Sequence, residues 1–141
     1  MMQLQIITLS GVFLDKEVFE VDVPTTAGTI AINGGHAPLA GAIKPGLLTI
    51  KHAKTDTTNG WDRIAVYEGT IEVLRNVVTV LVDDVDTLEE VSEAEAEKAL
   101  ARAKEMTAKA GDAVSLAEAQ SMMDRSAVRL QLAGLKRHKN R

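Results

Sequence analysis

The sequence predicts an all-β domain, a sandwich or flattened barrel, followed by an antiparallel pair of α-helices. Up to about Val91, short runs rich in Val, Ile and Thr alternate in polarity between Gly, Pro, Asn and Asp, the period-two signature of half-buried strands. No helix-length segment separates these runs, which argues against a parallel sheet built on crossover helices. From Ser92 the period becomes helical, and all three prolines and all four aromatic residues lie before that change.

In chain order, QLQIITL, EVFEVDVP, GTIAI, LLTIKH, DRIAVY, TIEVL and VVTVLVDD read as strands. Ser92 to Glu95 (SEAE) fit a capping box, with the Ser92 hydroxyl accepting from a first-turn N–H and Glu95 reaching back to the Ser92 amide. The helix it opens is expected to stop at Gly111, whose ease at positive φ suits a C-terminal cap. A second box, Ser115 to Glu118, predicts a second helix to about Gly134, with Leu116, Ala119, Met122, Met123, Ala127 and Leu130 near one stripe. The domains expected from this are 1–88 and 89–141. The helices are Ala-rich and lack aromatics, so at roughly 25 cal/mol per Å2 their pairing and docking should be weak.

Composition bounds the function. With 141 residues, 45% hydrophobic and 26% charged, the chain suits one globular domain with a small appendage rather than a disordered protein or a multi-domain enzyme. No cysteine is present, which excludes disulfides, thiolate metal sites and thiol nucleophiles and fits a reducing compartment. The opening MMQLQIITLSG lacks the basic and apolar regions of a signal peptide. The run Val77 to Val82 is far shorter than the roughly 20 residues of a membrane span, so no direct membrane insertion is expected. Charge is divided unevenly: residues 1–91 carry 6 Lys+Arg against 13 Asp+Glu, while residues 92–141 carry 10 against 7.

Catalytic and metal readings find little support. His36, His52 and His138 are far apart, and no HExxH-like spacing appears, so His36 reads as a turn or interface residue with no metal expected. NGGHAP has neither phosphate-loop pattern and no helix after it. Asp83, Asp84 and Asp86 lack EF-hand spacing and read as a solvated strand end. No nucleic-acid partner is expected, because the β region is acidic and has only four aromatic rings. Arg125 and Arg129, four residues apart on the second helix, mark either a solubilising face or a partner site. The remaining enzyme alternative is a small cytoplasmic protein with a cleft site near His36 and the helices as a lid.

The succession VFEVDVPTTAGTIAINGGHAPLAGAIKPGLLTI, IAVYEGTIEV, NVVTVLVDD and an Ala-rich helical hairpin resembles the epsilon subunit of bacterial F-type ATP synthase over nearly the whole chain. Its most specific element is GHAPL, followed by a short strand and KPG. The resemblance implies a ten-stranded β-sandwich and two helices acting without catalysis or cofactor in the central stalk. The sandwich would bind the gamma subunit and the ring of c subunits, coupling proton flow to ATP synthesis at the cytoplasmic face of the bacterial inner membrane. Thr29, Ile30, Ala31, Gly35 and His36 inherit the c-ring contact, although family members often carry Glu at the Thr29 position and Pro at the Gly34 position.

The same resemblance implies a mobile hairpin that opposes ATP hydrolysis when extended towards the alpha and beta subunits. Arg125, Arg129, Lys136 and Arg137 would then meet acidic segments of the beta subunits. Some family members bind ATP through an Ile/Leu-Asp-x-x-Arg-Ala motif opening the first helix. Here the matching residues are Val91-Ser92-Glu93-Ala94-Glu95-Ala96, and Glu95 in place of Arg repels phosphate. Arg102, Arg125 and Arg129 fall where later family arginines sit, so a residual nucleotide site would rest on those three, with little or no ATP binding expected.

Overall fold

In a computed structural model, the chain divides into two compact units, Met1–Val85 and Asp86–Arg141. The structure describes residues 1–57 and 60–139, with side chains described as far as residue 136.

The first unit is built from β1 (Met2–Thr8), β2 (Gly11–Val18), β3 (Glu20–Thr25), β4 (Gly28–Asn33), β5 (Leu39–Ile43), β6 (Gly46–Lys51), β7 (Asp62–Val66), β8 (Gly69–Leu74) and β9 (Val77–Val82). A two-residue strand, β10 (Val85–Asp86), completes the sheet, and Asp86 opens the second unit. The order is β10-β7-β6-β3-β5-β8-β9-β1-β2, with β4 paired to β3. The β1–β9 pair is parallel and the other pairings with a described register are antiparallel. On one side β3 pairs with β6 at Glu20–Asp22 and with β5 at Thr25. Pro24, which has no N–H to give, lies between those two pairings, and its carbonyl accepts from Lys44 N at 3.1 Å. The sheet thus changes partner along one strand and folds over on itself. Inward residues from both halves share one core, including Leu4, Ile6, Val21, Val23, Ile50, Ile64, Ile71 and Val80.

Ten strands satisfy the all-β expectation, but two of them have little sequence signal. Along β2 nearly every residue before Val18 is exposed, and among the described residues its only strand partner is β1; charge on an unpaired edge is a common defence against further strand addition. In β5 the sequence LAGAI offers small residues where a core strand ordinarily carries branched ones.

The second unit contains α1 (Glu93–Lys109) and α2 (Ala113–Lys139). Ser92 caps α1 as its sequence predicts, its Oγ accepting from Glu95 N at 3.4 Å. Three helix expectations need correction. The residue ending α1 is Ala110, at φ −62° and ψ 124°, and Gly111 is not in the left-handed region. The cap of α2 is Asp112: Ser115 N–H donates to its carboxylate at 2.7 Å, so Ser115 lies inside the first turn. Nor does α2 stop at Gly134; it continues to Lys139.

The buried stripe also differs from the predicted one. Leu116 and Met122 are exposed, and so is Ala127. Ala96 and Ala103 of α1 and Ala119, Ser126 and Ala133 of α2 are buried as a stripe of small residues, and Val128 and Leu132 of α2 are buried as well. Small residues at every seventh position keep one seam turned to a neighbouring helix and allow close approach. Thr107 Oγ1, 3.3 Å from Met123 Sδ, joins the helices across that seam.

Candidate functional site

The loop between β4 and β5 holds GGHAP at one end of the sandwich. Gly35 sits at φ +80°, a conformation that costs a side-chain-bearing residue energy. His36 N–H donates to Asn33 O at 3.2 Å and closes the turn. The His36 Nδ1 lies 2.7 Å from Ala37 O. A carbonyl oxygen only accepts, so Nδ1 carries the proton and Nε2 of the neutral ring is the acceptor. The imidazole is fixed by its own loop and partly exposed.

The other predicted loop residues divide by the pleat of β4. Thr29 and Ala31 are exposed on the outer face, whereas Ile30 packs against the core. Asp22 lies opposite Ala31 on β3. Its carboxyl is raised from 3.8 to about 6, first by burial and then by repulsion from and hydrogen bonding with Glu20. Asp22 Oδ1 is buried without a hydrogen-bond partner.

Among the described residues the histidines do not assemble a catalytic group. His52 Nε2 contacts Asp62 Oδ2 at 2.6 Å, and its Nδ1 is buried without a partner. The Asp–His pair therefore leaves no ring nitrogen facing a substrate. His138 lies outside the residues whose side chains are described. Among the described residues no group of three His, Asp or Glu is placed to hold a metal ion, and Asp83 and Asp84 instead accept turn N–H groups, the latter from Val85 at 2.9 Å.

On α2, Arg129 Nε donates to Asp86 Oδ2 at 2.9 Å, both side chains being partly buried. Lys136 Nζ lies 3.4 Å from Val91 O. Two of the four cations predicted to face the beta subunits are thus turned to the segment that precedes α1. Arg125 is partly exposed, and the side chain of Arg137 lies outside the described residues. Arg102 is apart from Arg129's ion pair, in a groove of about 320 Å3 beside the α1–α2 turn, with Glu105, Lys109 and Glu118. Mixed charge in that groove gives a phosphate no net attraction.

One surface has no counterpart among the residues singled out from sequence. Val12, Ile7, Leu81, Thr70 and Ala42 stand side by side across β2, β1, β9, β8 and β5. Val12 is 66% and Leu81 46% exposed, and Leu9 next to this row is 89% exposed. Its sequence signal is a leucine in the outward phase of VVTVLV. A row of uncharged residues across five strands is a surface suited to a protein partner.

Residues 1–87 match the family described as ATP synthase, Delta/Epsilon chain, beta-sandwich domain. The chain is 32% identical over 133 residues to the ATP synthase epsilon chain, chloroplastic, of Oltmannsiellopsis viridis, covering 94% of this chain and 98% of that one. It is 35% identical over 138 residues to the ATP synthase epsilon chain of Chloroflexus aggregans, covering 98% and 96% respectively. A similar fold occurs in the Euglena gracilis mitochondrial ATP synthase, OSCP/F1/c-ring in rotational state 1, with a TM-score of 0.79, 19% identity, and coverage of 94% of this chain and 79% of that one. The chain belongs to the epsilon subunit family of F-type ATP synthase.

Proposed function

We propose that this epsilon-family chain is a non-catalytic part of the ATP synthase central stalk, in which the sandwich couples the gamma subunit to the c-ring and the hairpin restrains ATP hydrolysis. The observation that carries the sandwich half is the uncharged row across β2, β1, β9, β8 and β5, with Val12 and Leu81 exposed. That face suits gamma, whose contact would cover it. The outer face of β4 with Thr29 and Ala31, and the β4–β5 loop with Gly35 and His36 closed by the His36 N–H to Asn33 O bond, suit the c-ring.

The hairpin half rests on its packing. Ala96, Ala103, Ala119, Ser126 and Ala133 bury little apolar area each, and Val128 and Leu132 are the larger buried apolar side chains of α2, so the area holding the hairpin is modest and two arrangements of the helices lie within a few kcal/mol. Arg125, Arg129, Lys136 and Arg137 are the cations available to acidic segments of the beta subunits once α2 leaves its present contacts. Nucleotide binding is not part of this function: Ser92 and Glu95 stand at the motif positions, and Glu95 N–H is taken by the cap. Among the described residues no helix is long and apolar enough to cross a membrane, and the chain would be held at the cytoplasmic face of the bacterial inner membrane by its partners.

The decisive experiment is removal of residues 92–141 from the complex assembled with gamma, alpha and beta subunits. The truncated chain is expected to remain bound to gamma while ATP hydrolysis by the soluble complex rises. Leu81→Asp in the full chain is expected to weaken gamma binding. An isolated chain that turned over a substrate and did not bind gamma would overturn this reading in favour of the small enzyme.

A further inference from the structure

We propose that Asn76 is the positioning residue of the β4–β5 loop, setting the place of Gly35 and His36 for contact with the c-ring; the proposal rests on the reading of that loop as ring-facing. Asn76 is the second residue of the tight turn between β8 and β9, where Arg75 has φ 49° and Asn76 φ 66°. Such a turn accepts glycine at no steric cost, and asparagine is the side-chain-bearing residue that tolerates it best. The turn itself therefore does not require the amide group. What the amide does is reach two other segments: Oδ1 accepts from Gly35 N at 2.9 Å, across 41 residues of sequence, and Nδ2 donates to Met1 O at 2.9 Å. The Asn76 carbonyl also accepts from Gln3 N at 3.1 Å.

Three segments thus converge on one residue. Gly34 fixes how closely they meet, since a Cβ there would fall 3.2 Å from Met1 O. All three are exposed to water, which would satisfy the same polar groups, so the bonds' contribution is to location rather than to relief of a buried donor. Gly35 N–H is the donor immediately before His36, and the His36 ring is in turn tied to Ala37 O. Fixing Gly35 therefore fixes the peptide that carries His36, and the loop is ordered before it meets a partner, which lowers the entropic cost of docking.

The test uses Asn76→Gly, which keeps the left-handed turn and removes both side-chain bonds, and Asn76→Asp, which keeps the acceptor for Gly35 and loses the donor to Met1. Hydrogen exchange on the full chain reads loop position, and proton pumping per ATP hydrolysed in membrane vesicles bearing the assembled synthase reads the ring contact. In Asn76→Gly, the Gly35 and His36 amides should exchange about fivefold faster while core amides such as Val23 and Val80 are unchanged, and pumping per ATP should fall. Asn76→Asp should retain Gly35 protection and restore most of the pumping. Wild-type exchange at Gly35 in Asn76→Gly would overturn the proposal. So would faster exchange with unchanged pumping where His36→Ala lowers pumping, because the loop would then dock without Asn76. If neither Asn76→Gly nor His36→Ala changes pumping, the ring-facing reading itself fails, and the proposal falls with it even though exchange shows the loop released.

Discussion

Asp22→Asn is expected to stabilise the sandwich at neutral pH and to flatten its pH dependence. The Asp22 carboxyl titrates near 6 rather than 3.8, chiefly because burial disfavours its charge and secondly because Glu20 repels it. The folded chain therefore holds a proton more tightly than the unfolded chain, and stability falls as pH rises from about 4 to about 6. The difference of about two pH units, at about 1.4 kcal/mol each, sets an upper bound of about 3 kcal/mol. Asp22 is only partly buried, and solvent screening reduces this to about 1 kcal/mol. Asparagine imitates the protonated acid, since its Nδ2 donates to Glu20 as the acid proton does. With a urea dependence of about 1–2 kcal/mol per M, the midpoint at pH 7.5 should rise by about 0.5–1 M, and the two proteins should converge below pH 4. Trp61, the chain's single tryptophan, whose ring lies 5.2 Å from Lys51 Nζ, reports the transition by fluorescence. A midpoint difference that does not vary with pH, or a variant less stable than wild type at pH 7.5, would refute the argument.

Three further outcomes follow from the packing and the caps. Gly69→Ala should destabilise the sandwich by about 3 kcal/mol or more in urea unfolding, because an added Cβ would lie 1.9 Å from Leu81 O on the paired strand. Asp112→Ala should speed exchange of the Ser115 amide, with Ser115→Ala leaving the first turn of α2 intact. The Ser115 bonds hold the Asp112 carboxyl below its ordinary value, so wild-type protection at that turn should persist at neutral pH and be lost as pH falls through the lowered value. In the assembled complex, Asp86→Asn should lower ATP hydrolysis about twofold and Arg129→Met should raise it, measured by phosphate release.

Strand periodicity was legible wherever one face is buried and the other is not, as in β4 and β8, whose patterns alternate residue by residue. It failed for β2, where both faces are wet, and for β5, where Gly and Ala stand in for branched residues. The cap of α2 was misplaced because Asp112 and Ser115 are both good capping residues three positions apart, and only the 2.7 Å bond between them shows which one caps the other's amide. The helix stripe was not legible from size: Leu116 and Met122 are exposed, whereas the buried set combines the seven-residue repeat of Ala and Ser with Val128 and Leu132. The GGHAP loop was visible as a motif. Its tether at Asn76 was not, since no local pattern announces a bond across 41 residues.

The cations of α2 cannot serve two partners at once, and this gives the hairpin's packing a direct bearing on its proposed activity. Arg129 is held on Asp86 at 2.9 Å with both side chains only partly exposed, an environment in which a charge-assisted hydrogen bond contributes about 1–2 kcal/mol. Each kcal/mol that favours this arrangement reduces the population of any competing one about fivefold. Under the proposed function, Asp86 would therefore oppose transfer of Arg129 to an acidic segment of a beta subunit, whereas Arg129 would contribute to both states. Weakening the pair from its acidic side should release a competent inhibitor; removing the guanidinium should release a hairpin that inhibits less. Opposite signs for Asp86→Asn and Arg129→Met thus separate competition for one cation from a general loosening of the helices, which would move hydrolysis in the same direction for both.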